Sequence, residues 1–157
     1  MTDKLSSPAP AGSQTVVPFF PVNYAAKAID FYRDVFGAKL ISRIDGPKGR
    51  VIHAELELGD ARFQLSDPIT MPGVLGPPED GNNFTLTFWT SDVDAIFDKA
   101  VAAGATEMVP LSDSFTGDRM GVVRCPFGVR WCIARHDRDV PAEEIQAIAG
   151  KWASAAD

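Results

Sequence analysis

Long apolar runs, cysteines and basic charge are all scarce in this sequence, and each shortage narrows its range of functions. No apolar stretch is long enough to cross a membrane, and the first residues lack the hydrophobic segment of a signal peptide. The 2 cysteines, Cys125 and Cys132, are not spaced as a C-x-x-C pair, which predicts reduced thiols in a cytoplasmic protein. The net charge of -6 argues against a nucleic-acid partner, because such a partner requires a basic surface.

The remaining composition is that of a folded globular protein. Hydrophobic residues make up 45% and charged residues 23% of the 157 positions, and a chain of this length can bury a full hydrophobic core. Residues 1–14 are rich in Pro, Ser, Ala and Gly. We therefore expect a flexible N-terminal tail before a fold that begins at Thr15.

Two segments of the chain repeat one pattern of secondary structure. Ala-Ile precedes Gly-Ala by the same distance in residues 28–38 and in residues 95–105, and each segment carries the apolar stripe of an amphipathic helix. One alternating strand precedes each helix and three follow it, which predicts an α+β fold of two βαβββ modules. The predicted parts are a tail (1–14), a single domain (15–137) with modules at 15–68 and 83–137, and a C-terminal helix (138–157).

Alternation along the strands divides the side chains between two faces of each predicted sheet. The apolar sets that we expect to pack under the helices are Ile52, Ala54, Leu56 and Leu58, then Phe63 and Leu65, then Phe84, Leu86 and Phe88, then Trp131 and Ile133. The other faces carry a mixed set that includes Gln64, Thr85, Thr87, Trp89 and Cys132. Such a mixture is typical of a small-molecule site, so we expect an open half-barrel cleft lined by these faces.

Several motifs make the chain resemble the vicinal oxygen chelate superfamily, which includes glyoxalase I, bleomycin-resistance proteins and extradiol dioxygenases. They are AIDFYRDVFGAKL in the first module and DVDAIFDKAVAAGA followed by PFGVRW in the second. IHAELELGD, FTGDRMG and DVPAEEI are similar to the PhnB-like branch of that superfamily. The resemblance covers residues 15–145 and implies paired βαβββ modules with a cleft on the concave sheet, usually in a homodimer.

The resemblance also implies where a metal ion would be held. Ligands of the superfamily lie on the first and fourth strands of each module, and those positions fall on Val17, Gln64, Thr85 and Cys132. Valine cannot bind a metal, threonine and glutamine are weak neutral ligands, and only cysteine is a good soft one. Val129 stands where the PhnB-like branch often has histidine. We therefore expect the inherited metal site to be lost, with no cofactor.

Some members of this branch are labelled methyltransferases, but no glycine-rich turn for a nucleoside-type methyl donor is present.

His53 and Glu55 are the candidates for catalysis, because they lie two residues apart on one strand face. They could act as a general base or as two ligands of a relocated divalent metal ion, although an ordinary polar role at the rim is the simpler interpretation. Cys132 could act as a nucleophile, but a buried and unreactive thiol is the simpler interpretation. The predicted ligand-binding residues are Phe19, His53, Glu55, Gln64, Thr85, Thr87, Trp89, Arg119 and Cys132.

Three functions remain open at this point. The preferred prediction is a non-catalytic protein that binds a small molecule without a metal ion, in a cleft at a homodimer interface. The alternative is a metal-dependent lyase, isomerase or dioxygenase that uses His53 and Glu55. The third is an interaction protein whose acidic C-terminal helix, beginning at Pro141, docks onto a partner.

Overall fold

The computed structural model describes residues 7–69 and 72–155, and the chain divides into two compact units, Met1–Glu79 and Asp80–Asp157. The first unit contains β1 (Phe19–Pro21), α1 (Ala25–Phe31) with a π-helical continuation (Tyr32–Phe36), β2 (Lys39–Asp45), a 3-10 turn (Pro47–Gly49), β3 (Val51–Leu58) and β4 (Ala61–Ser66). The second contains β5 (Leu86–Trp89), α2 (Val93–Ala102), β6 (Thr106–Asp113), β7 (Asp118–Arg124), β8 (Arg130–His136) and α3 (Ala142–Ala155). The predicted βαβββ order is confirmed in both units. No helix in these described ranges is both long and apolar enough to cross a membrane.

Each unit forms a four-stranded sheet with the same topology. The strand order is β1-β4-β3-β2 in the first unit and β5-β8-β7-β6 in the second. The first strand of each unit pairs in parallel with the last, while the other pairs are antiparallel. Because the helix follows the first strand, it crosses one face of the sheet and leaves the other face for different contacts.

The apolar stripe predicted for the first helix is buried. Ala25, Ala28, Ile29, Tyr32 and Phe36 are each at most 5% exposed. Tyr32 packs edge-on against Phe63 of β4, with ring centroids 5.6 Å apart. The stripe therefore joins α1 to one face of the first sheet, and the alternation predicted for β4 is confirmed.

The second unit repeats this packing with α2. Val93, Phe97 and Ala100 of the helix are buried. Phe97 lies so close to β7 that a Cβ added at Gly121 would be 2.5 Å from its Cε2 atom, so glycine is required there. The helix-facing row of β8, which includes Trp131, is buried as predicted.

Two predicted rows are wrong at their first residue. Phe84, expected under the second helix, precedes β5 and is 38% exposed. Ile52, expected under the helix, is 42% exposed, whereas Val51 is fully buried. The register of β2 with β3 shifts at this point, because Ile44 pairs with His53 and Asp45 pairs with Val51. This β-bulge leaves Ile52 without a pairing residue on β2. Before the bulge, the side chains of β3 therefore point to the faces opposite to those predicted.

The segments before β1 and after β8 were predicted to be a flexible tail and a helix. Residues 1–6 of the predicted tail lie outside the described residues, and Gln14 at its end hydrogen bonds to Arg62 of β4. The flexibility of the tail stays a prediction. The C-terminal helix is present as α3, and its Trp152 packs edge-on against Phe115 with ring centroids 5.0 Å apart. Residues 156 and 157 lie outside the described range.

Candidate functional site

The first sheet presents a row of polar side chains on the face turned away from α1, which we call the polar face. Its members are Phe19, His53, Glu55, Glu57, Arg62 and Gln64. Phe19 pairs with Gln64 across β1 and β4, and Gln64 pairs with Glu55 across β4 and β3. Since paired residues on neighbouring strands point to the same side, these three side chains form one lateral row. The structure thus brings together four predicted site residues, the fourth being His53.

Glu55 is the centre of this row and both of its carboxylate oxygens accept hydrogen bonds. Arg62 Nη1 donates to Oε1 over 3.0 Å, and Gln64 Nε2 donates to Oε2 over 2.9 Å. The same guanidinium contacts Glu57 Oε2 at 3.4 Å. The Glu55 and Arg62 side chains are only 11% and 12% exposed. Their charges are therefore largely removed from water and depend on each other.

The segment before β1 completes the enclosure of Arg62. The Gln14 side-chain amide donates to the Arg62 carbonyl over 2.5 Å, while its oxygen accepts from the Arg62 amide over 3.1 Å. Gly12 lies against the guanidinium, since a Cβ there would be 2.5 Å from Arg62 Nη2. Gln14 therefore pairs with β4 through its side chain, just before β1 pairs with the same strand through its backbone.

Sequence reasoning missed Arg62 and Gln14 as parts of this site. The signal for Arg62 was present, because the two-residue Gly59-Asp60 turn sets a register in which residue 57 faces 62 and residue 55 faces 64. For Gln14 the sequence offered no comparable signal, since its contact with Arg62 is long-range and lies outside any helix or strand.

His53 shares the polar face with Glu55 but has a different neighbour. Its imidazole stacks on Phe19, with ring centroids 6.1 Å apart and planes 5° from parallel. Among the described residues, no hydrogen bond joins His53 to Glu55. The pair predicted from i, i+2 spacing thus shares a face, but the two side chains are engaged separately.

The corresponding face of the second sheet is mainly apolar. Val122, Cys132 and Ala134 are buried together, and Met120 packs against them. Thr87 pairs with Cys132 across β5 and β8 and hydrogen bonds to its thiol. Burial raises the pKa of the Cys132 thiol, while the Arg130 charge and the Thr87 hydrogen bond act in the opposite direction. A raised pKa keeps this thiol protonated, which lowers its value both as a nucleophile and as a metal ligand.

The other predicted site residues of the second unit divide between the two faces of its sheet. Trp89 pairs with Ala134 and so lies on the face of Thr87 and Cys132, whereas Arg119 lies on the opposite face. Thr85 precedes β5, and its hydroxyl accepts a hydrogen bond from Arg130. Trp89 ends β5 and is 55% exposed. Arg119 lies in register with Arg135, on the helix side of the sheet, and donates to Asp94 over 2.6 Å. The structure therefore does not bring Arg119 together with Cys132.

The positions carried over from the metal-binding proteins fall outside the strands at two points. Val17 and Thr85 precede β1 and β5, and the residues that pair with Gln64 and Cys132 are instead Phe19 and Thr87. β1 begins after Pro18, which has no backbone N–H to donate to a neighbouring strand. Within residues 7–69 and 72–155, no group of three or more His, Cys, Asp or Glu side chains could hold a metal ion.

Comparisons with known proteins agree with this architecture. A family model described as the Glyoxalase/Bleomycin resistance protein/Dioxygenase superfamily matches residues 14–133. An uncharacterised protein of Mycobacterium tuberculosis is 39% identical over 138 residues, covering 83% of this chain and 79% of that protein. A solved Arabidopsis thaliana gene product is 29% identical with a TM-score of 0.64, covering 77% of this chain and 98% of that one.

One further structure supports the fold alone. A Bacillus cereus PhnB protein, described as a putative 3-demethylubiquinone-9 3-methyltransferase, is 22% identical with a TM-score of 0.59. The match covers 78% of this chain and 99% of that one. The chain belongs to the glyoxalase/bleomycin resistance/dioxygenase superfamily.

Proposed function

We propose that this protein binds a small organic molecule on the polar face of its first unit and carries out no metal-dependent reaction there. The observation that carries the proposal is the engagement of Glu55, whose two oxygens accept from Arg62 and Gln64. This carboxylate is only 11% exposed and its charge is already balanced by the Arg62 guanidinium, so it offers little free charge to a cation.

The side chains at the expected metal-ligand positions support the same proposal. Phe19 and Thr87 occupy the strand positions beside Gln64 and Cys132, and Cys132 carries a thiol whose pKa is raised by burial. Divalent ions in such sites require imidazole or carboxylate ligands, so this set does not fit them. We therefore derive no reaction step through a metal ion.

The ligand class follows from the surfaces that remain available. The stacked rings of Phe19 and His53 offer a flat contact surface, and Gln64 places a polar group beside Phe19. An aromatic or amphipathic molecule with a few hydrogen-bonding groups suits this combination. A homodimer remains a prediction.

Two measurements test the proposal. Elemental analysis of untagged protein should find no stoichiometric zinc, nickel or iron, and a panel of aromatic amphipathic compounds should contain ligands that raise the melting temperature. For such a ligand, Phe19→Ala should weaken binding by about tenfold, as for buried aromatic contacts. Trp152→Ala is the matched control, because that tryptophan is 66% exposed on α3 and should leave affinity unchanged.

The metal-dependent alternative gives a different result. One metal ion per chain that is lost in His53→Ala, together with an activity lost in the same variant, would replace the binding proposal by the enzyme that uses His53 and Glu55. Ligand binding that Phe19→Ala does not weaken would rule out the polar face as its location.

A further inference from the structure

A cavity lies in the first unit, where the start of α1 meets the Pro47–Gly49 turn and the end of β4. Its volume is ≈ 680 Å³, within the range of sites for small organic ligands. Tyr24, Lys27, Lys48, Arg50 and Asp67 are among its lining residues. None of the residues predicted to bind a ligand lines it, so it is separate from the site on the polar face.

The charges around this cavity are strongly unequal. Lys27, Lys48 and Arg50 contribute three cations, whereas Asp67 contributes one carboxylate. Both oxygens of Asp67 already accept backbone hydrogen bonds over 2.8 Å, from the amides of Ala25 and Val51. The single carboxylate therefore stabilises the chain around the cavity, and the excess positive charge remains for a ligand.

These three cations differ from most arginines of the described chain. Within residues 7–69 and 72–155, Lys27, Lys48 and Arg50 form no ion pair with a carboxylate. By contrast, ion pairs with carboxylates hold Arg33, Arg43, Arg62, Arg119 and Arg135. The Arg50 guanidinium donates to the Pro68 carbonyl, a neutral partner that leaves its charge unbalanced. On a chain with a net charge of -6, a cavity lined by three cations without carboxylate partners favours an anion by its electrostatics.

The backbone around the cavity is also unusual. Tyr24 and Lys48 have φ angles of 53° and 60°, and they are the non-glycine residues with positive φ in the described part of the chain. Such conformations cost free energy and persist where the surroundings fix them. Here both residues line the same cavity.

We propose that this cavity binds the phosphate group of a small organic phosphate. A phosphate dianion has the charge and the number of acceptor oxygens to engage a guanidinium and two ammonium groups together, which a single carboxylate lacks. The cavity is larger than a phosphate ion requires, and the Tyr24 side chain, 71% exposed, offers a ring face for the organic part. Lys27 Nζ lies 5.7 Å from the centre of that ring, so the cation and the aromatic surface are adjacent.

The test is a titration of isotope-labelled protein followed by amide chemical shifts, with inorganic phosphate, pyrophosphate and citrate added separately at constant ionic strength. Phosphate and pyrophosphate should shift the amide signals of residues 24–27 and 48–50. Lys48→Asn and Arg50→Gln should each weaken the pyrophosphate Kd by about tenfold, as expected for the loss of a charge-assisted hydrogen bond. Asparagine is chosen at position 48 because it tolerates the left-handed backbone.

Lys39→Gln is the matched control, since it removes the same charge from an exposed position of β2 that does not line the cavity. It should leave the pyrophosphate Kd unchanged. Three results would overturn the proposal: shifts absent from residues 24–27 and 48–50, an equal loss of affinity in Lys39→Gln, or citrate binding as tightly as pyrophosphate. Binding at this cavity that persists in Phe19→Ala would confirm that the two sites are independent.

Discussion

Glu55 and Arg62 form an ion pair across β3 and β4 in which only about a tenth of either side chain is exposed. The distance from Glu55 Oε1 to Arg62 Nη1 is 3.0 Å, and the exposed fractions are 11% and 12%. Removing both charges from water is costly, and only their mutual attraction and the additional hydrogen bonds from Gln64 and to Glu57 offset that cost. The pair therefore determines both the stability of the polar face and the kind of ligand that it can accept.

Removing one member of this pair should be far more destabilising than removing both. Arg62→Met leaves the Glu55 carboxylate enclosed without a cation, and we expect the free energy of unfolding to fall by about 3–5 kcal/mol. The double variant Glu55→Gln with Arg62→Met should recover most of that loss. Urea denaturation of the two single variants and the double variant measures the coupling directly.

Arg43→Met is the control for this cycle. Arg43 contacts Asp45 at 2.7 Å, but the pair is more exposed, with 31% and 52% of the side chains accessible. Its loss should cost at most about 1 kcal/mol. Equal effects of Arg62→Met and Arg43→Met would show that enclosure does not strengthen the Glu55 pair.

Gly117 and Gly150 should respond to alanine in opposite directions. At Gly117, φ is +90° and an added Cβ would be 2.1 Å from the Arg138 carbonyl oxygen, so Gly117→Ala should destabilise the protein by about 2 kcal/mol or more. At Gly150, inside α3, an added Cβ meets nothing within 4 Å. Gly150→Ala should therefore stabilise the helix by up to about 1 kcal/mol.

Thermal and urea unfolding of the two glycine variants test this pair of expectations. The segment after β8 depends on Gly117, because the amides of Asp137 and Arg138 both donate to its carbonyl. Gly117→Ala should therefore also increase hydrogen exchange at residues 137 and 138. Unchanged stability in that variant would mean that the segment can move aside at little cost.

The fold could be predicted from the sequence because its signals are local. The apolar stripe that ends at Phe36 specifies a helix, and the Gly59-Asp60 turn specifies the register of β3 with β4. The structure confirms both. The position of Ile52 could not be predicted in the same way. Strand alternation assumes one residue opposite one residue, and the bulge beside Ile52 depends on how β2 and β3 pair.

The site was predictable only in part, for a related reason. Alternation predicts that Glu55 and Gln64 lie on the faces turned away from the helix, and the two residues do pair across β3 and β4. The pairing of Gln64 with Phe19 was not predicted. The hydrogen bonds that these side chains form depend on residues that are far apart in the sequence. Gln14 reaches Arg62 across 48 positions of sequence, and that contact encloses the cation which engages Glu55. Spacing along one strand cannot reveal it.

His136 should make stability depend on pH near neutrality. Hydrogen bonds to Asp118 and then Asp139, over 2.7 and 2.9 Å, raise the pKa of His136 above its ordinary value of 6.5. A folded-state pKa above the unfolded value means that the stabilisation is complete below about pH 6.5 and is lost as the pH rises through the folded pKa. The unfolding free energy of the wild type should therefore decline across this window.

Proton NMR of the His136 ring gives the pKa, and urea denaturation at a series of pH values gives the slope. Asp139→Asn should lower that pKa and flatten the decline, because Asp139 Oδ1 contacts Nε2 of the ring. His136→Asn should remove this contribution to the decline entirely. A His136 pKa at or below 6.5 in the wild type would contradict the expected role of the two carboxylates.

The two thiols of the second unit should be unreactive in the folded protein. Cys125 and Cys132 are 3% and 4% exposed, and burial raises the pKa of the Cys132 thiol, so little thiolate forms near neutral pH. Ellman's reagent at about pH 8 should label both thiols quickly in urea but neither in the native state, where labelling waits for unfolding. The variants Cys125→Ser and Cys132→Ser assign each rate to one residue. If native Cys132 reacts as fast as a free thiol, it is an activated nucleophile. The face of the second sheet that carries it is then not a packed interior.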